Sequence, residues 1–197
     1  MNAAILCWGS LYWEPKNLKV FKPWKLTELH LPIEFSRISG GDRLTLVVDF
    51  DNGVEIPVYA AESSITNFKE AQQNLKNRER TAPGHIGFYD SLSMTRSKSD
   101  FDDKSFDCRN HSKVAQRVEA WLESVDYDAV IWTALPSNFS SAAGKVFSVE
   151  NAVDYISNLS GTKRQEAIEY IVRAPKEVDT PVRTALEKSG ILDLPGA

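Results

Sequence analysis

The sequence predicts an α+β fold, and three observations carry that reading. Its first third is strand-like, with Val-, Ile- and Leu-rich runs at residues 3–8, 29–38, 44–50 and 54–61. After residue 62 the apolar residues fall three and four apart, the spacing of helices. Among those helical stretches one apolar run, "DAVIWTALP" at 128–136, reads as a buried strand. Strands segregated before helices define the α+β class.

Turn chemistry separates the early runs. Ser39-Gly40-Gly41-Asp42 parts the second from the third, and Asp51-Asn52-Gly53 parts the third from the fourth as a hairpin signal. In "RLTLVVDF", Leu44, Leu46 and Val48 alternate with Thr45, Val47 and Asp49, which predicts one buried face. Pro57 lacks an N–H and predicts that the fourth strand is at an edge or bulged there.

The helical part begins at "SSITNFKEAQQNLKNRER", residues 63–80. It sets Ile65, Phe68, Ala71, Gln72, Leu75 and Glu79 along one face, with Ser63 or Ser64 as its cap and Pro83-Gly84 as its stop. A short strand follows at 85–89. Residues 91–110, rich in Ser and Asp, predict a long, weakly packed surface loop. Beyond it an amphipathic helix spans 112–125, with Val114, Val118, Trp121 and Leu122 on one face. Three closing helices are expected at 148–159, 162–174 and 180–190, the last with Pro181 in its first turn and Gly190 as its stop.

The bulk properties narrow the function. The 197 residues, 42% apolar and 25% charged, predict one domain, or one domain with an appended piece, soluble and globular with a real core. A net charge of −4 argues against nucleic acid as a partner, and no run has the length of a membrane span. Two cysteines, Cys7 and Cys108, predict no disulfide framework and a cytoplasmic chain. Cys108 and His111 form a lone C-x-x-H without a second pair, which is not a zinc motif. Neither a P-loop nor a dinucleotide fingerprint occurs.

Two readings stand for the stretch "AILCWGSLYW". A strand ending at Gly9-Ser10 bares backbone N–H groups suited to a carboxylate or oxyanion; it is also an ordinary strand followed by a turn. Ser10 as a nucleophile would need His30, His85 or His111 as its base, and no G-x-S-x-G frames it. Arg37, inside an apolar strand, is a pocket candidate. Trp8, Tyr12, Trp13, Trp24 and Trp132 read as core or pocket wall.

Trp8, Gly9, Ser10, Leu11 and Trp13, followed by Leu75, Arg78 and Glu79, form the order aromatic-G-S-L-x-W, then a helix ending L-x-x-R-E. This order resembles the γ-glutamylcyclotransferase-like superfamily, its glutathione-degrading branch in particular, over roughly the first 140 residues. "FSRISGGDRLTLVVD" and "AVIWTALPSN" are similar to later pieces of the same pattern. The resemblance implies a single domain over residues 1–197, a small mixed β-barrel or sheet flanked by helices, with a helical C-terminal part from about residue 148. It also implies turnover of a γ-glutamyl amine or dipeptide to 5-oxoproline, without metal or cofactor. Glu79 would be the acid/base, and Trp8, Gly9, Ser10, Leu11 and Arg37 would bind substrate. Trp8 stands where the family has Tyr, and Arg80-Thr81-Ala82-Pro83-Gly84 replaces the Gly-Tyr segment of the glutathione-specific branch. The resemblance therefore reaches the fold further than it reaches glutathione. The alternative is a non-catalytic small-molecule binding module on the same fold.

Overall fold

The computed structural model describes residues 1–92, 95–96 and 108–192. Its first half holds β1 (Ala3–Cys7), β2 (Lys25–Ile38), β3 (Leu44–Val48), β4 (Val54–Glu62) and α1 (Phe68–Glu79). A 3-10 turn (Pro83–His85) leads to β5 (Ile86–Asp90), β6 (Thr95–Arg96), α2 (Cys108–Leu122) and β7 (Ala129–Thr133). Four helices close the chain: α3 (Phe139–Ala143), α4 (Val149–Asn158), α5 (Gly161–Arg173) and α6 (Pro181–Lys188).

The strands form one mixed sheet in the order β3-β2-β4-β1-β7-β5-β6. The five strands expected from the apolar runs all belong to it, and the fold is α+β. The barrel is not formed. Closure would need β3 and β6 to pair, but they are the two edges of an open sheet, and β3 packs against α5. The loop expected at 91–110 lies largely outside the described residues, as do the side chains of Cys108 and His111.

Pro57 does not mark an edge. β4 lies between β2 and β1, and its ladder with β1 covers Tyr59 to Glu62, so the missing N–H of Pro57 falls outside that pairing. In β3 both faces are covered rather than one, because Val47 and then Asp49 are buried along with Leu44, Leu46 and Val48.

The chain divides into two compact units, Met1–Leu31 with Pro57–Leu135, and Pro32–Ile56 with Pro136–Ala197. In the first, one sheet face presents Ala3, Ile5 and Cys7 from β1, Tyr59 and Ala61 from β4, and Ala129 and Ile131 from β7. α1 covers it with Ala71 and Leu75, and Phe68 packs at the margin. These residues are spaced by three and four, so they form one stripe down the helix. The cap of α1 is Asn67, whose side chain accepts from the Glu70 N–H at 3.2 Å. Ser63 is not the cap: α1 begins only at Phe68, and the Ser63 hydroxyl accepts from the Ile65 N–H at 3.1 Å instead. Ser64 donates its N–H to Lys19 O. Asn67→Ala is expected to lower stability by about 1 kcal/mol, read as a shift in the denaturant midpoint at constant slope. No change in the midpoint would mean that water serves the helix end as well.

α1 stops before Pro83-Gly84. Arg80 adopts a left-handed conformation (φ 51°) and turns its N–H back to Asn77 O and Lys76 O.

The hairpin expected at Asp51-Asn52-Gly53 is not formed, because β3 and β4 do not pair with each other but flank β2 on its two sides. In the second unit Asp49 organises the tight turn there. Its carboxylate accepts from the N–H groups of Asp51 and Asn52 and from the Asn52 side chain, each at 3.1 Å. Gly53 is needed there because a Cβ would lie 2.5 Å from Asp49 O and 2.6 Å from the Pro32 carbonyl carbon. Glu34, fully buried in β2, accepts from the Thr180 hydroxyl and the Phe35 N–H, both at 2.6 Å, and from Val182 N–H at 3.4 Å. It thereby seals the start of α6, where Thr180 is the cap and Pro181 opens the helix. Burial lifts the Glu34 carboxyl above the ordinary glutamate range, against the pull of those hydrogen bonds.

Candidate functional site

The stripe that buries α1 explains where Glu79 goes. Phe68, Ala71 and Leu75 face the sheet, and three or four residues further on the same face presents Arg78 and Glu79. Both side chains are accordingly shielded, 7% exposed for Arg78 and 14% for Glu79. The helix thus ends its apolar contact on an ion pair, Arg78 Nη1 to Glu79 Oε1 at 3.0 Å.

The sheet supplies the opposite wall. β1 runs parallel to β7, with Ile5 level with Ile131, and β5 is antiparallel to β7, with Ile86 opposite Thr133. The carboxyl ends of β1 and β7 therefore share one rim, the place where open sheets with parallel strands receive ligands. Past the end of β1 the chain coils into a single helical turn, Tyr12 N–H donating to Gly9 O at 2.9 Å and Glu14 N–H to Ser10 O at 2.8 Å. The first amides of such a turn have no partner further back in the turn. Those of Gly9, Ser10 and Leu11 take none among the described residues.

Arg78 Nη2 donates to Ser10 Oγ at 3.1 Å and to Glu14 O at 2.6 Å. The end of α1 and the turn after β1 therefore meet, and Glu79 stands beside that turn in the same unit. Leu11 is buried and Tyr12 tilts against Tyr59, ring centres 4.6 Å apart, which anchors the turn to the core. Trp8 is buried at its entrance, and Gly9 and Ser10 are half-buried.

Burial raises the Glu79 carboxyl above the ordinary glutamate range. Arg78, through charge and hydrogen bond, and Lys16, through charge, pull it partly back. Cys7 lies on the same side of β1, its thiol donating to Gly9 O at 3.5 Å, and burial pushes that thiol far up. It is a free, neutral, buried sulfhydryl. Thr133, at the end of β7, keeps a buried hydroxyl that takes no partner among the described residues. Behind the rim, Thr81 and His85 share a 2.5 Å hydrogen bond through His85 Nδ1.

Among the described residues no histidine hydrogen-bonds Ser10, whose hydroxyl instead accepts from Arg78. Arg37 belongs to the second unit, where its guanidinium donates to Pro136 O at 2.7 Å and burial depresses its pKa. Trp8, Gly9, Ser10, Leu11 and Glu79 are thus gathered in one unit, and Arg37 serves the other. Sequence reasoning passed over Thr133 and Glu34. Glu34 had a signal, a single acid inside an otherwise apolar run; Thr133 had none, since only the strand register brings it to the rim. Among the described residues no group of three or more His, Cys, Asp or Glu side chains is placed to hold a metal ion. No helix among them is long and apolar enough to cross a membrane. No protein-family model, curated protein or solved structure matches this chain.

Proposed function

We propose that this chain is a γ-glutamylcyclotransferase-like enzyme that converts a γ-glutamyl amine or dipeptide to 5-oxoproline and a free amine. One observation carries the reading: a shielded carboxylate of raised pKa, Glu79, stands beside a turn whose leading amides at 9–11 have no partner among the described residues. The chemistry asks for those two parts. The substrate's α-ammonium gives a proton to the Glu79 carboxylate, and the amine attacks its own γ-carbonyl carbon. The new oxyanion is held by the amides of Gly9, Ser10 and Leu11, each well-aimed donor contributing on the order of 3 kcal/mol. The bond from that carbon to the leaving nitrogen then breaks. The two protons lost by the α-ammonium are the two the leaving nitrogen gains, so Glu79 ends ionised as it began and no water is consumed. Because attack is intramolecular, the site has only to hold the reactive conformer and pass protons.

A second reading keeps the binding turn without turnover. It is favoured by the Arg78 contact at 3.0 Å, which occupies one Glu79 oxygen.

The test follows 5-oxoproline release from a panel of γ-glutamyl amines and dipeptides, with binding measured in parallel. Turnover of at least one member is expected. Binding without turnover would replace the enzyme reading by the binding module. Ser10→Ala is expected to lower turnover modestly, since it removes a hydroxyl and leaves the amides. Complete loss of activity in that variant, with binding intact, would instead make Ser10 a covalent nucleophile.

A further inference from the structure

We propose that Arg78 is the positioning residue of this site: one guanidinium fastens the turn over residues 9–14 to the last turn of α1 and fixes the Glu79 carboxylate against it. The kinetic part of this inference rests on the reading of Glu79 above; the structural part does not.

Arg78 is aimed inward by the same helical period as Leu75, and a guanidinium so shielded has to find acceptors on the protein. It finds three on two elements. Nη1 takes Glu79 Oε1, and Nη2 takes Ser10 Oγ and Glu14 O, at the two ends of one helical turn. Those last two contacts join residues 68 and 64 positions apart in sequence. They tie the turn bearing the unclaimed amides to the helix bearing the carboxylate. The planar fork of Arg reaches several acceptors in fixed directions, whereas the ammonium of Lys is a point charge. Arg78 therefore does two separable things: it supplies positive charge next to Glu79, and it clamps the turn.

The charged and titratable groups that act on Glu79 are Arg78 on α1, Lys16 in the segment after β1, and Cys7 on β1. Cys7 is neutral, and exposed Lys16 is itself drawn to Glu14 at 3.6 Å. Arg78 is thus the principal cation opposing the effect of burial on Glu79.

The experiment compares wild type, Arg78→Lys, Arg78→Gln and Ser10→Ala. Amide hydrogen exchange is read at Tyr12 and Glu14, and the Glu79 side-chain carboxyl is titrated by carbon NMR. In Arg78→Gln both amides are expected to exchange roughly tenfold to a hundredfold faster, the factor carried by a lost charge-assisted hydrogen bond. The Glu79 titration moves to higher pH in the same variant. In Arg78→Lys the exchange is fast but the titration stays near the wild-type position, because the charge is kept and the fork is lost. Ser10→Ala removes one of the acceptors and gives a smaller acceleration at the same two amides. Unchanged exchange in both Arg78 variants, or an unmoved Glu79 titration in Arg78→Gln, would overturn the inference. If Arg78→Gln does not fold, Arg78→Lys and Ser10→Ala decide it through exchange alone. Where the wild type turns over a γ-glutamyl substrate, the acidic limb of its kcat/KM profile moves up in Arg78→Gln along with the titration. Absence of wild-type turnover sinks the enzyme reading and leaves exchange and titration to judge Arg78.

Discussion

Glu79→Gln is expected to cut 5-oxoproline release about 10²–10⁴-fold, the range that general acid–base catalysis supplies. The substitution keeps the size of the side chain and an oxygen that accepts from Arg78, so the ion-paired geometry relaxes little and substrate binding persists. What it removes is the ability to take the α-ammonium proton and return it to the leaving nitrogen. The pH dependence gives the same variant a second signature. Glu79 works as a base only when ionised, so wild-type kcat/KM rises with pH as the carboxyl loses its proton. Burial holds that ionisation above the range of a free glutamate, with Arg78 and Lys16 opposing. The acidic limb should therefore lie higher than a solvent-exposed carboxylate would place it. The limb due to this group is absent from Glu79→Gln. Turnover equal to wild type in Glu79→Gln, or an unchanged acidic limb, would remove Glu79 from the mechanism.

Why that carboxylate was visible in the sequence, and other features were not, follows from the range of the forces involved. Phe68, Ala71, Leu75 and Glu79 lie on one helical stripe, a local property that survives into the structure as burial, but it is the resemblance, not the period, that singles Glu79 out among the glutamates. The strand runs were legible for the same reason. The first residues of β2, Lys25 to Glu28, were not: they are largely exposed, so no apolar period marks them. α3 spans only five residues and offers too little pattern to read. Ser and Asn cap equally well, so the sequence alone does not choose the cap of α1. The helix begins at Phe68, where the Asn67 side chain reaches the Glu70 N–H, while the Ser63 hydroxyl serves Ile65. Barrel closure and the central place of β4 depend on which strands pair across the sheet, and no single stretch encodes that. Arg37 shows the same limit. Its setting in an apolar strand was evident, but its acceptor, Pro136 O, is 99 positions away in sequence.

Gly87→Ala is expected to destabilise the first unit by about 3 kcal/mol, the upper end of what overpacking a core position costs. Two effects compete. In a strand, Ala ordinarily gains on Gly by roughly 0.5–1 kcal/mol, because Gly loses more backbone freedom on folding. Against that, Gly87 sits directly opposite Trp132 in the β5–β7 ladder, and a Cβ there would fall 2.2 Å from indole atoms Cε2 and Nε1. Trp132 has no exposed surface and its ring is rigid, so it has nowhere to withdraw. The steric term exceeds the entropic one, and the sign is loss. The same geometry predicts a rescue. Trp132→Phe shortens the ring and deletes a buried indole N–H that takes no partner among the described residues, which offsets part of the packing lost with the larger ring. In the double variant Gly87→Ala with Trp132→Phe, the new methyl group occupies space the indole has vacated. The pair should then lose less than the sum of the singles, by at least about 1 kcal/mol, well beyond the few tenths seen between independent sites. Urea unfolding followed by circular dichroism measures all four proteins, with the slope checked for constancy. Additive losses, or a Gly87→Ala variant as stable as wild type, would show that β5 can bow away from the indole and that Gly87 is not what lets Trp132 lie across the strand.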